Sequence, residues 1–372
     1  MRMKKRLFYG AFLCAMALLA SCGGTNNRFK EVATTDPDAV QINFVRFDQL
    51  IYGLDSCITR PAYVGNDQYD LMKVDIPDDD SLCLKQKIEV IKGQYPTQFR
   101  QYMTMLTEMS SGYETSYETL FYLFLVHQAY HDVFNECEKR YEHTEDIQRQ
   151  FTKSFSRATQ LIPGYQTPEN IHLIYSGFGN YLALDENTLY VSLEYFLGAD
   201  YANYAYAPGV FQYQIKNMIR EKIVPDAIYE CTCEQFPMTK EAGNLLDYLI
   251  YYGKMLYVTD AIMQEDSPKR IMGYTDDEWA WCEANEKKMW NFLREENLLF
   301  ETDNKMITDF TIMSGATKYF STEQYSAPGR AAVWLGWQIV SKYMERNSSL
   351  SLADLLAQQD AQMILNGSRY NP

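Results

Sequence analysis

His172-Leu173-Ile174-Tyr175, Tyr181-Leu182-Ala183-Leu184 and Thr188-Leu189-Tyr190-Val191 are three short apolar and aromatic runs. Each has the length and residue types of a β-strand. Asp185-Glu186-Asn187 between the last two supplies a turn, so those two runs form a hairpin. The segments on either side carry helical periodicity instead. The fold expected is therefore α+β, mainly α-helical, with a small central antiparallel or mixed sheet.

Upstream, Val40-Gln41-Ile42-Asn43-Phe44-Val45 alternates as a strand does, and Phe47 to Tyr52 follows as a helical turn. Asp75 to Ser81 is acidic and suits the positive end of a helix, with Asp80 or Ser81 as cap. Leu82 to about Met109 is helical with a break at Tyr95-Pro96. Tyr117 to Tyr141 is expected as one long helix, and Thr144-Glu145-Asp146 opens another that runs to about Leu161. Downstream of the hairpin, Leu245, Leu249, Tyr252 and Leu256 form one apolar stripe, flanked by Leu246, Ile250 and Gly253. Thr275 to Glu278 is a capping box opening a helix to about Leu298. Ser326-Ala327-Pro328-Gly329 is expected to open a helix through Trp334, Trp337 and Val340, with Pro328 in its first turn. Leu352 to Leu365 is the last helix, ended by Asn366-Gly367.

The other end of the chain gives an address. Arg2, Lys4, Lys5 and Arg6 precede a fourteen-residue apolar run, Leu7 to Ala20. That is shorter than the roughly 20 residues a membrane span needs, and it reads as an export signal. Leu19-Ala20-Ser21-Cys22 fits a bacterial lipobox, which makes Cys22 the acylated first residue of the mature chain. Residues 1–21 are then a lipoprotein signal peptide, 22–38 a polar lipidated tether, and 39–372 a single globular domain. The membrane is a partner through the lipid (palmitate among the acyl chains) rather than through a span. Formal charge is −15 for the whole sequence and −19 once the four basic residues of the signal are removed. A strongly acidic body without basic clusters argues against nucleic acid as a partner.

Six cysteines remain after Cys14 and Cys22 are set aside: Cys57, Cys83, Cys137, Cys231, Cys233 and Cys282. Their spacing fixes no pairing. Cys231-Thr232-Cys233 is closer-set than a zinc pair, and separate buried or bridged cysteines are the preferred reading. His127 and His131, four apart on the expected long helix, would share a face and could hold zinc. Gln128 follows His127 where a zinc peptidase needs a glutamate base, so structural histidines are preferred. Tyr195, Tyr201, Tyr204, Tyr206 and Tyr213 crowd a loop broken by Gly198, Pro208 and Gly209. Tyr201, Tyr204 and Tyr206 are a candidate ligand or partner surface, a glycan included, set against packing of the loop on helices. Arg330 falls in the expected first turn of a helix, where the dipole disfavours a cation. A buried Asp or Glu, or an anionic ligand, would offset it, and the internal ion pair is preferred. No serine nucleophile elbow, phosphate-cradling loop or dinucleotide fingerprint is present.

Several stretches taken in order resemble one family. They are Arg46-Phe47-Asp48, Ser192 to Tyr201, Leu249 to Tyr257, Asn285-Glu286 with Trp290, and Leu298-Leu299-Phe300. Ser326 to Arg330, Trp334-Leu335-Gly336-Trp337 and Ile364 to Tyr370 complete the set. With the lipobox, this order is similar to the GldB-type gliding-motility lipoproteins. The resemblance implies an envelope lipoprotein tied to surface gliding and to machinery that overlaps a protein-secretion system, with envelope proteins as partners. It also implies a scaffold shared with zinc-peptidase-like proteins. Arg220-Glu221-Lys222-Ile223-Val224 then stands where a peptidase carries His-Glu-x-x-His, so the scaffold would be degenerate and its metal site lost. The expected function is non-enzymatic, without cofactor or bound metal, through protein contacts. The alternatives are a metal-dependent hydrolase using His127 and His131, or a glycan-binding lipoprotein. Gly23 after Cys22 lacks the Asp that retains lipoproteins in the inner membrane. That points to the outer membrane, facing the periplasm.

Overall fold

The computed structural model describes residues 27–59, 75–109, 116–207, 209–238, 243–320 and 326–372. Signal, lipobox and Cys22 lie outside the described residues. A four-stranded mixed sheet is built from β1 (Asn43–Arg46), β2 (Asn170–Ile174), β3 (Leu182–Asp185) and β4 (Thr188–Ser192), in the order β1-β2-β4-β3. β2 runs parallel to both neighbours, with Phe44 opposite Ile171 and Leu173 opposite Val191. β3 and β4 form the expected antiparallel hairpin, Leu184 opposite Leu189. Central β4 is buried throughout, whereas edge strand β3 is half-exposed.

Before the sheet's second strand come α1 (Phe47–Tyr52), α2 (Asp78–Gln94), α3 (Pro96–Met109), α4 (Tyr117–Val126), α5 (Gln128–Arg140) and α6 (Glu145–Leu161). The expected single helix over 117–141 is two. His127 takes an extended conformation (ψ 118°) and turns the chain between α4 and α5. The corner brings the Phe124 ring to 5.0 Å from Tyr130 and 5.3 Å from Phe134. Aromatic packing thus overrides a helical pattern that has no Gly or Pro to break it. At α2, Pro77 occupies the cap position. Asp80 is instead buried, accepting hydrogen bonds from the Thr59 N–H (3.2 Å) and Oγ1 (2.9 Å).

After the hairpin follow α7 (Gln212–Ile215), α8 (Ile223–Gln235), α9 (Leu245–Ile262), α10 (Pro268–Met272), α11 (Asp276–Glu295) and α12 (Asn304–Thr311). α13 (Ala331–Arg346), α14 (Leu352–Ala357) and α15 (Ala361–Ser368) complete the chain. The expected last helix is therefore two, and it ends not at Asn366-Gly367 but at Arg369, which takes the left-handed conformation (φ 48°). The Thr275 capping box forms as read, with Thr275 Oγ1 accepting from Glu278 N–H at 3.2 Å. α9 is apolar nearly all round and sits at the centre of the helices, as such a helix must. α13 crosses it at two glycines. A Cβ on Gly336 would lie 2.0 Å from the Leu249 carbonyl oxygen, and one on Gly253 2.5 Å from the Gly336 backbone.

One further correction concerns the segment before β1, and the cysteine pairing left open by spacing is now fixed. The polar segment read as a free tether is docked from Asn27 onward. Asn27 is buried and its Nδ2 donates to Tyr257 O and Asp260 Oδ2, both at 2.9 Å; Lys30 pairs with Asp260 at 2.8 Å. Nothing in the composition of 23–38 announces these partners, which lie more than 200 residues away. Cys57 and Cys83 form a disulfide, while Cys137, Cys231, Cys233 and Cys282 are free.

Candidate binding cavity

The first half of α8 is apolar except for a polar stripe at every fourth residue: Lys222 just before it, then Asp226 and Glu230. That spacing puts the three on one face, and the face opens on a cavity of about 310 Å³. Tyr181, beside the hairpin, and Tyr195 line one side. Met218, Leu256, Ile271 and Met313 supply apolar wall, and Arg330 enters from the start of α13. A mainly apolar hollow with a few converging polar groups is the usual form of a small-ligand site.

The charges inside are unevenly satisfied. Lys222 Nζ is buried, 2.5 Å from Asp226 Oδ1, and donates to the Arg270 carbonyl at 2.9 Å. The other Asp226 oxygen accepts from the Tyr181 hydroxyl. Burial, and then the Asp226 carboxylate, hold that phenol well above its ordinary pKa. This trio is closed on itself. Arg330 is not. Its Nη2 donates to the Tyr229 hydroxyl at 3.2 Å, and its Cζ lies 5.9 Å from the ring centres of Tyr229 and Tyr252. Ring faces at that distance attract a guanidinium. Among the described residues no carboxylate comes within the 4.0 Å of an ion pair, so the internal pair expected from sequence is not formed. Glu230, at the solvent-facing rim, feels Arg330 only at longer range. Desolvation, then Asp226, raise its carboxyl above the usual range, and Arg330 opposes them.

Arg330 is held where it is. It precedes α13 rather than lying in its first turn, in the left-handed conformation (φ 61°) that a non-glycine residue seldom adopts. Pro328 is accordingly outside the helix. Gly329 presses on Ser314, whose carbonyl oxygen would be 2.1 Å from an added Cβ. The Tyr274 hydroxyl donates to Gly329 O at 2.7 Å. Thr317 Oγ1 donates to Pro328 O at 2.7 Å and accepts from Ala331 N–H at 3.2 Å. Phe178, Glu186, Asn297 and Arg369 share a positive φ, but Arg330 alone of the five lines the cavity, and strain fixed by its surroundings clusters at ligand clamps.

The other candidates fall elsewhere. His127 caps α5 rather than lying within one long helix with His131, and the two rings have different partners. His131 Nε2 is 3.6 Å from Asp55 Oδ1, and its Nδ1 is 3.0 Å from Asn135 Nδ2. His127 packs its ring on Tyr130. His172 is buried in the sheet against Phe47, where burial lowers its pKa to about 4. Arg220 pairs with Asp146 at 2.6 Å, and Lys222 with Asp226, so the segment aligned with the peptidase motif is occupied by ion pairs. No group of three or more His, Cys, Asp or Glu side chains able to hold a metal ion occurs among the described residues. Burial pushes the Cys231 and Cys233 thiols up to about 12, away from the thiolate a metal or redox role needs. In the tyrosine-rich loop, Tyr204 is buried, its hydroxyl donating to Glu194 O at 2.9 Å and accepting from Leu197 N–H at 2.7 Å. It serves packing, the alternative set against the surface reading, and so leaves the candidate surface. Tyr201 stacks edge-on against it, half-buried, and Tyr206 alone of the three is exposed. Of the cavity lining, Arg330, Tyr195 in the tyrosine-rich loop and Lys222 in the peptidase-like alignment stand out in the sequence, each for another reason. The i, i+4, i+8 polar stripe on an apolar helix was the signal for Asp226 and Glu230.

The family model for gliding motility protein GldB matches residues 70–372, and the chain belongs to that family. The match spans the hairpin, the cavity and Arg330, and bears out the family resemblance. No curated protein and no solved structure matches the chain significantly. Among the described residues no helix is long and apolar enough to cross a membrane.

Proposed function

We propose that this gliding-motility-associated chain is a lipoprotein of the cell envelope, anchored through Cys22 to the outer membrane and facing the periplasm. It acts without catalysis, as a recognition component of a motility- or secretion-related assembly. The observation that carries the recognition role is Arg330. A cation in a strained backbone conformation is locked in place and pointed into a cavity, with no carboxylate of the described residues at ion-pair distance. A protein stores such strain where a ligand repays it. Support for the compartment comes from the Cys57 to Cys83 disulfide, a bond favoured outside the reducing cytosol, and from the lipobox. The acidic body fits a tether that is lipid rather than electrostatic, since it would be repelled by anionic lipid.

Crosslinking in intact cells, followed by identification of the partners, tests this reading. The wild-type chain is expected in the membrane fraction, joined to other envelope proteins. Cys22→Ala is expected to give a folded, mislocalised body without function. A fully active soluble form would show that the anchor is only delivery. Stoichiometric zinc in the purified protein, lost on His131→Ala, would overturn the non-catalytic role.

A further inference from the structure

The cavity has two charges that the protein leaves unmatched, and they differ in sign. Arg330 is enclosed and, among the described residues, has a phenol and two ring faces for company but no carboxylate within ion-pair distance. Glu230 stands at the rim, makes no hydrogen bond or ion pair with any described residue, and lies beyond ion-pair distance of Arg330 while lining the same cavity. Lys222 and Asp226 cancel one another. The lining is therefore neutral overall but polarised, positive inside and negative at the mouth. A simple anion would satisfy Arg330 and be repelled by Glu230, and a simple cation the reverse. A ligand carrying both charges a few ångströms apart satisfies both. Leu256, Ile271 and Met313 offer the apolar surface for its remainder.

Resting on the reading of this cavity as a binding site, we infer that its ligand is a small zwitterion with an apolar side group, of the α-amino-acid or dipeptide class. The carboxylate lies on Arg330 and the ammonium toward Glu230. Arginine, with its planar fork of donors, suits the carboxylate end.

Calorimetric titration of the lipidated chain in detergent micelles tests it, with leucyl-leucine, its N-acetyl form and its C-terminal amide as titrants. The unblocked dipeptide is expected to bind at least tenfold more tightly than either blocked form. Arg330→Asn, which removes the charge but tolerates the left-handed backbone, should abolish binding of the unblocked and acetylated peptides. Glu230→Gln, at an exposed position, should reduce the unblocked peptide to the level of the acetylated one. Equal binding of the acetylated peptide would overturn the zwitterion and leave a site for anions. Failure of all three titrants would overturn the ligand class. Neither failure touches the recognition role, which stands or falls on the in-cell effect of Arg330→Asn.

Discussion

At the scale of single residues, the least expected group is Glu194. It is fully buried behind the loop that follows β2. One oxygen accepts from Ser176 N–H (2.8 Å), Ser176 Oγ (2.6 Å) and Phe178 N–H (3.1 Å), while the other has no hydrogen-bond partner among the described residues. Burial holds its carboxyl up at about 7, from an ordinary 4.5. Between those values the unfolded chain releases this proton and the folded chain keeps it. The contribution is fully present below about 4.5 and lost as pH rises through about 7, on the order of 3 kcal/mol in all. Glu194→Gln keeps the accepting oxygen and removes the titration. Urea unfolding at pH 4.5, 6 and 8 should show the variant gaining on the wild type as pH rises; parallel curves would refute the assignment. Neither Glu194 nor the backbone of Arg330 was legible in the sequence. The first is one glutamate in a mixed segment. The second depends on Gly329 meeting Ser314, fifteen residues earlier, a tertiary contact that leaves no local pattern.

At the scale of elements, periodicity located most helices and the hairpin, because burial on one face writes itself into the sequence. It failed at corners set by packing, His127 above all. The α9 stripe was plain from Leu245, Leu249 and Leu256, but not that Gly253 would meet Gly336. That crossing makes a sharp forecast. Gly336→Ala puts a methyl into the Leu249 carbonyl and should cost roughly 3 kcal/mol or more by denaturant unfolding. Gly93→Ala, in α2 with nothing within 4 Å of its added Cβ, should stabilise by about 0.5–1 kcal/mol. Equal effects at the two sites would discredit the crossing. The cysteine pairing, left open by spacing, is set by α2 packing beside the turn that ends at Cys57. Replacing both Cys57 and Cys83 with serine should lower stability by about 3 kcal/mol, since the bond closes a loop of 26 residues. No change under reducing conditions would count against it.

At the scale of the whole molecule, docking of the N-terminal segment changes how the anchored body would stand. If the lipid sits on Cys22, five residues reach Asn27, at most roughly 18 Å of chain. From there Asn27, Arg28 and Lys30 are fastened to α9, to the carbonyls of Met344 and Leu350, and to Asp260 and Asp266. The body is then held close to the bilayer with that face toward it, rather than swinging on a 17-residue leash. Placement at the membrane and recognition through Arg330 are tested together by one measurement. In a gliding strain deleted for its own copy, surface spreading is scored with wild-type or Arg330→Asn chain present at equal levels in the membrane fraction. Recognition through the cavity predicts that only the wild type restores spreading; full restoration by Arg330→Asn would contradict it.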